Sequence, residues 1–259
     1  MPYLEFKYRS AALSRNVSVS VILPGAKLMD GSSIPERYKT IYLLHGLSGD
    51  HTSWMRSSAI ERYAAEHGIA VVMPCVERSW YTNTAYGQRY LDFVADELPR
   101  VCRGYFSGMS DAREDNFVGG YSMGGYGAAK LALLYPDRYA GCAALSGAFD
   151  ITRKNRTYRL EEWQSIFGFD IPDALSLEGT EHDLFALADK VGASGVELPK
   201  FFLWCGTEDT LVTVGRDFRD KLESIGAEIS YSESEGDHSF KYWDMHIQPA
   251  LKYLFGNGK

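Results

Sequence analysis

Five short apolar runs, set apart by longer amphipathic stretches, limit what this chain of 259 residues can fold into. They are TIYLLHG (40–46), IAVVMP (69–74), DNFVGGYS (115–122), GCAALSG (141–147) and KFFLWCG (200–206). Runs this short and continuously apolar suit strands buried on both faces, as in a parallel sheet. Two further segments alternate polar with apolar residues, VSVSVIL (17–23) and AEISYSE (227–233). The first reads as a half-buried antiparallel strand, the second as a sixth strand of the parallel set. Residues 24–39 read as loop. Helical patterns are expected at 55–67, 87–103, 124–135, 212–225 and 239–255. Strand–helix alternation on this scale predicts an α/β fold, a mostly parallel sheet with helices on both faces.

The rhythm breaks between Asp150 and Pro199, which contain helix-like patches such as EEWQSIFG and EHDLFALADKV but no clear strand. Two readings stay open there, a small helical cap inserted over the sheet edge or a long crossover with two helices. No repeat, linker or low-complexity tract interrupts the chain, so residues 1–259 are expected to form one domain.

Charge narrows the function. The formal net charge is −7 and no basic tract occurs. Nucleic acid and anionic membrane surfaces are therefore disfavoured as partners, and small neutral substrates fit best. The N-terminal MPYLEFKYRS lacks the charged-then-apolar pattern of a signal peptide, and no apolar stretch approaches a bilayer span. Cys75, Cys102, Cys142 and Cys205 form no Cys-x-x-Cys pair, and Cys75, Cys142 and Cys205 lie in apolar runs. The expectation is a reduced, cytoplasmic protein without a metal site. A homo-oligomer is compatible with the sequence but not determined by it.

Residues 120–124 read Gly-Tyr-Ser-Met-Gly. Gly-x-Ser-x-Gly alone is a weak signal, and its context decides. Here an apolar strand runs in and a helix pattern, GGYGAAKLALLY, runs out, as a nucleophile elbow requires. Ser122 is thus the candidate nucleophile, exposed at the carboxyl edge of the sheet. A serine hydroxyl needs a base, and in this architecture acid and base follow the serine in that order. Of six histidines, His182, His238 and His246 follow Ser122. His238 lies in the turn between the last strand and the last helix and is the candidate base. Asp209, just past KFFLWCG, is the candidate acid, with Glu208 and then Asp150 as rivals. The oxyanion requires two preorganised donors. The backbone N–H groups of Met123 and of Leu47, in the loop after TIYLLHG, are the candidates. His45 beside that loop reads as structural.

Trp54, Trp80 and Tyr81 follow strands on the side where Ser122 should emerge. They either line the substrate pocket or pack beneath those loops.

The blocks YLLHGLSGDHTSW, RSWYTN, DELP, VGGYSMGGYGAAKLAL, ALSGAFDI, LWCGTEDTL and EGDHSFKYWD together resemble the tributyrin-esterase branch of the esterase D superfamily. S-formylglutathione hydrolases, acetyl-xylan and feruloyl esterases and mycolyltransferases belong to the same superfamily. The resemblance covers residues 40–255. It implies an α/β-hydrolase fold, a Ser122–His238–Asp209 triad, oxyanion donors at Leu47 and Met123, no cofactor, and hydrolysis of short-chain esters. One departure concerns the pocket. His238 is followed by Ser-Phe-Lys-Tyr, where an aromatic is expected closer to the histidine. The alternatives are a thioesterase of the S-formylglutathione hydrolase type, a carbohydrate esterase acting on acylated oligosaccharides, an acyltransferase, and a non-catalytic relative.

Overall fold

In the computed structural model, residues 1–25, 33, 36–152, 160–168 and 177–256 are described. Eight strands form one sheet: β1 (Tyr3–Ser10), β2 (Arg15–Ile22), β3 (Thr40–Leu44), β4 (Ala70–Pro74), β5 (Asn116–Tyr121), β6 (Gly141–Leu145), β7 (Lys200–Gly206) and β8 (Ile229–Ser234). Their spatial order is β1-β2-β4-β3-β5-β6-β7-β8. β1 and β2 pair antiparallel, β2 pairs antiparallel with β4, and every other pairing is parallel.

The helices are α1 (Ser53–Ser57), α2 (Ile60–His67), α3 (Tyr90–Asp92), α4 (Leu98–Tyr105), α5 (Met123–Leu134), α6 (Leu160–Phe167), α7 (Leu184–Gly192), α8 (Val212–Ser224) and α9 (Phe240–Phe255), with a π-helical turn at Phe93–Glu97 between α3 and α4. The central strands β3 to β6 are buried throughout because both faces are covered. Ile41 and Leu43 of β3 join Trp54 of α1, Ile60 and Tyr63 of α2 and Ile247 and Leu251 of α9. Tyr42 and Leu44 join Leu98 of α4, Leu131 of α5, Leu187 of α7 and Phe218 of α8 on the other face. The period of two along each strand sends alternate side chains to opposite layers.

The expected strands and their order along the chain are present, and β2 is antiparallel as read. Three features differ. β1, a strand that the sequence pattern does not reveal, forms an edge hairpin with β2. Its residues alternate between exposed and half-buried, so it carries too little apolar pattern to stand out. The helix expected at 55–67 is two helices, because Ser58 is extended and Ala59 N–H donates to Asp244 Oδ1 at 2.9 Å. Cys102, not Cys75, is the third fully buried cysteine beside Cys142 and Cys205.

The described helices of 150–199 take two different positions. α7 packs beside α5 and α8 and is an ordinary crossover helix before β7. α6 instead lies over the loop after β4. There Ala85 N–H donates to Ile166 O at 2.8 Å, Arg78 pairs with Glu162, and the Trp80 and Trp163 rings meet edge to face at 5.9 Å. Residues 153–159 and 169–176 of this interval lie outside the described residues. Among the described residues no helix is long and apolar enough to cross a membrane.

Candidate active site

Ser122 lies between β5 and α5 with φ 56° and ψ −121°. A positive φ is costly for a residue with a Cβ and persists only where surrounding contacts impose it. Those contacts are visible: Ser122 N–H donates to Leu145 O at 3.0 Å, and its carbonyl accepts from Tyr126 N–H at 3.1 Å and Ala148 N–H at 3.2 Å. The flanking glycines are a steric necessity. A Cβ on Gly120 would come within 2.5 Å of the Gly124 backbone, and one on Gly124 within 2.5 Å of Leu44 O. The strand could then not turn sharply into the helix.

His238 meets this serine. Its Nε2 is 2.9 Å from Ser122 Oγ, and its Nδ1 is 2.8 Å from Asp209 Oδ2. A carboxylate can only accept, so Nδ1 carries the proton and the Nε2 lone pair faces the serine hydroxyl. Three strand ends supply the three groups: β5 leads to Ser122, β7 to Asp209 and β8 to His238. The latter two loops are joined by Thr207 N–H to Ser234 O at 2.9 Å and Glu208 N–H to Gly236 O at 3.0 Å.

The Asp209 side chain is 0% exposed. Burial alone would raise its pKa. Hydrogen bonds from His238 and Leu211 N–H, the His238 charge and the influence of the Ser146 hydroxyl outweigh that and hold it below the usual carboxylate value. Its Oδ1 accepts from Leu211 N–H at 2.9 Å in a tight turn ahead of α8.

The rivals lie elsewhere. Glu208 is exposed, and Asp150 Oδ1 accepts from Thr152 N–H and Oγ1 at 3.0 and 2.7 Å. His246 stacks on Trp204 at 4.0 Å. His182 belongs to a separate cluster with Lys130 and Thr82.

Met123 opens α5, and the first N–H groups of a helix have no carbonyl behind them. The loop bearing Leu47 lies against the elbow: a Cβ on Gly46 would sit 3.2 Å from Ser122 Cβ. His45 ties this loop down. It is fully buried, with Nδ1 2.7 Å from Gly46 O and Nε2 accepting from Val76 N–H at 3.0 Å. The second bond puts the proton on Nδ1. Burial holds the ring's pKa below the usual histidine value, so it stays neutral.

Trp54, Trp80 and Tyr81 are 1%, 2% and 0% exposed. Of the two readings, packing beneath the loops describes them. Trp54 Nε1–H donates to Leu44 O at 3.0 Å, Tyr81 O–H donates to His45 O at 2.8 Å, and Trp80 meets Tyr126 edge to face at 5.5 Å. Sequence reasoning missed Ser146 and Trp243. Trp243 meets the His238 ring edge to face at 5.0 Å and stacks on Tyr121 at 4.3 Å. An aromatic thus does reach the His238 ring, supplied by α9.

Residues 10–254 match the model of the Esterase family, described as "Putative esterase". The chain belongs to this family. An acetyl esterase of Caldicellulosiruptor saccharolyticus is 30% identical over 98% of both chains. Two Staphylococcus aureus structures are each 36% identical over 98% of both chains. One is FphF, a fluorophosphonate-binding serine hydrolase in a substrate-bound state, with a TM-score of 0.89. The other is the apoenzyme of the S-formylglutathione hydrolase FrmB, with a TM-score of 0.86. This family member is a serine hydrolase of carboxylic esters with the α/β-hydrolase fold.

Proposed function

We propose that the protein hydrolyses short-chain acyl esters through Ser122, His238 and Asp209, as a member of the tributyrin-esterase branch. One observation carries this reading: the continuous chain from Ser122 Oγ through His238 Nε2 and Nδ1 to Asp209 Oδ2, at 2.9 and 2.8 Å. Ser122 attacks the ester carbonyl as His238 takes its proton. The tetrahedral oxyanion is held by the N–H groups of Leu47 and Met123. His238 then protonates the leaving alcohol. Water, deprotonated by the same ring, adds to the acyl-enzyme and releases the acid. Asp209 keeps the proton on Nδ1 and stabilises the imidazolium. The acetyl esterase relative supports a short acyl group. The single eight-stranded sheet supports reading the chain as one domain, and its four free thiols support a cytoplasmic setting.

Labelling with a fluorophosphonate, mapping the adduct by mass spectrometry and assaying p-nitrophenyl esters from acetate upward tests the reading. Modification of Ser122, loss of activity in Ser122→Ala and preference for the shortest chains are expected. An active Ser122→Ala enzyme would refute the nucleophile assignment, and a preference for long acyl chains would refute the short-chain part alone.

A second reading has its own support in the 36% identical S-formylglutathione hydrolase. The mechanism is the same with a thiol as leaving group. Side-by-side turnover of S-formylglutathione and an acetate ester separates the two. Acetylated oligosaccharides, added to the same panel, test whether the alcohol part is a sugar.

A further inference from the structure

The sheet order puts one strand between nucleophile and acid. β6 lies between β5, which leads to Ser122, and β7, which leads to Asp209. The residue that follows β6, Ser146, therefore emerges between the two. It is fully buried and has φ 49°. A buried non-glycine residue in this region marks a place where surrounding contacts override backbone preference, and such places cluster at functional sites. Its N–H donates to Trp204 O at 2.7 Å, which anchors it to β7.

The hydroxyl has a defined direction. Trp243 Nε1 lies 3.0 Å from Ser146 Oγ. An indole nitrogen only donates, so the serine oxygen is the acceptor there. Its single proton remains for another partner, and the Asp209 carboxylate and the Cys205 sulfur are the two groups whose titration it influences. Burial pushes the Cys205 thiol up to about 12, so it stays neutral. The ionised carboxylate is the stronger acceptor. The same indole stacks on Tyr121, the residue before Ser122, and meets the His238 ring edge to face.

Resting on the assignment of Asp209 and His238 as acid and base, we propose that Ser146 is a positioning residue for the reaction. Its hydroxyl, aimed by Trp243, donates to the Asp209 carboxylate and holds it in line with His238 Nδ1. The Ser146 O–H is thus a third donor to Asp209, beside the observed His238 Nδ1–H and Leu211 N–H. Removing the third leaves the carboxylate freer to rotate. It also concentrates negative charge toward the imidazole, so the imidazolium becomes easier to form.

The test uses Ser146→Ala, Ser146→Cys and Trp243→Phe in the full-length enzyme, with p-nitrophenyl acetate as substrate. In Ser146→Ala, kcat should fall roughly ten- to a hundred-fold, the loss expected for a hydrogen bond to a charged group, with KM little changed. The acid limb of kcat/KM should move to higher pH, and the downfield proton resonance of His238 Nδ1–H should shift. Ser146→Cys keeps a weak donor and should fall between Ala and wild type. Trp243→Phe keeps the hydroxyl but frees its direction, and should shift the same resonance by less. A residue that only supports the fold would lower the melting temperature and leave the pH limb and the resonance in place. That result in Ser146→Ala overturns the proposal. If Ser146→Ala does not fold, an unmoved limb and resonance in the other two variants overturns it instead. An active Ser122→Ala enzyme would mark a failure of the underlying mechanism, which is a separate result.

Discussion

His45 Nδ1–H donates to Gly46 O at 2.7 Å, and that carbonyl belongs to the same peptide unit as Leu47 N–H. In a trans peptide the two groups point in opposite directions. Holding the carbonyl therefore aims the N–H. Val76 N–H, on the loop after β4, holds the other side of the ring at 3.0 Å. His45→Phe should lower kcat by about ten- to a hundred-fold with little change in KM, since Leu47 N–H, as the proposed oxyanion donor, would act on the transition state. Affinity for a transition-state analogue such as a boronic acid should fall in parallel. Unchanged analogue affinity would show that the loop keeps its aim without the histidine.

Asp209→Asn preserves shape but presents an amide to His238. The ring can then carry its proton on Nε2, facing Ser122, where it cannot act as a base. The expected loss in kcat is on the order of 10⁴-fold, the effect seen when a triad aspartate is neutralised. Rates within tenfold of wild type would shift the acid role to Glu208 or Asp150.

Gly124→Ala tests the elbow itself. The new methyl would lie 2.5 Å from Leu44 O and 2.7 Å from His45 O, both backbone atoms that cannot rotate away. Destabilisation of about 3 kcal/mol or more is expected, read from chemical denaturation. A well-folded variant with wild-type stability would mean that the elbow relaxes by another route.

Trp54→Phe separates packing from substrate contact. It removes the Nε1–H bond to Leu44 O and should cost about 1 kcal/mol of stability. The ratio of kcat/KM for acetate and butyrate esters should not move. A changed ratio would return Trp54 to the pocket wall.

Lys130 is fully buried in α5 with Nζ 3.1 Å from both Thr82 Oγ1 and His182 Nδ1. Burial lowers its pKa to about 8, and burial with the Lys130 charge lowers that of His182 to about 3. Both folded values lie below the unfolded ones, so the unfolded chain binds more protons and stability rises with pH in each window. For Lys130 the window runs from about 8 to the ordinary lysine value of 10.5, and for His182 from about 3 to the ordinary histidine value of 6.5. Denaturation across pH should show wild type gaining on Lys130→Met above pH 8. The same variant should lose less stability in acid, because His182 no longer faces a cation. Parallel stability curves for the two proteins would contradict this.

The strands and the elbow were legible because their causes are local. Continuous apolar runs report burial on both faces, and Gly120 and Gly124 report a turn too tight for a Cβ. β1 was not legible, because an edge strand exposed on one side has little pattern to read. The break between α1 and α2 was not legible either. It depends on Asp244, far along the chain, reaching Ala59.

Spacing and chain order alone brought out the candidates Ser122, Asp209 and His238, since each follows its own strand and strands announce themselves. Folding decided how those candidates relate. It set the 2.9 and 2.8 Å contacts that join them, buried Trp54, Trp80 and Tyr81 beneath the loops, placed Ser146 between the ends of β5 and β7, and set Trp243 against His238. Both lie in blocks that carry the family resemblance, but nothing in those blocks assigns either a role. Their position comes from β6 lying between β5 and β7 and from α9 packing across the strand ends, and contacts between distant segments leave no periodic trace in a linear chain.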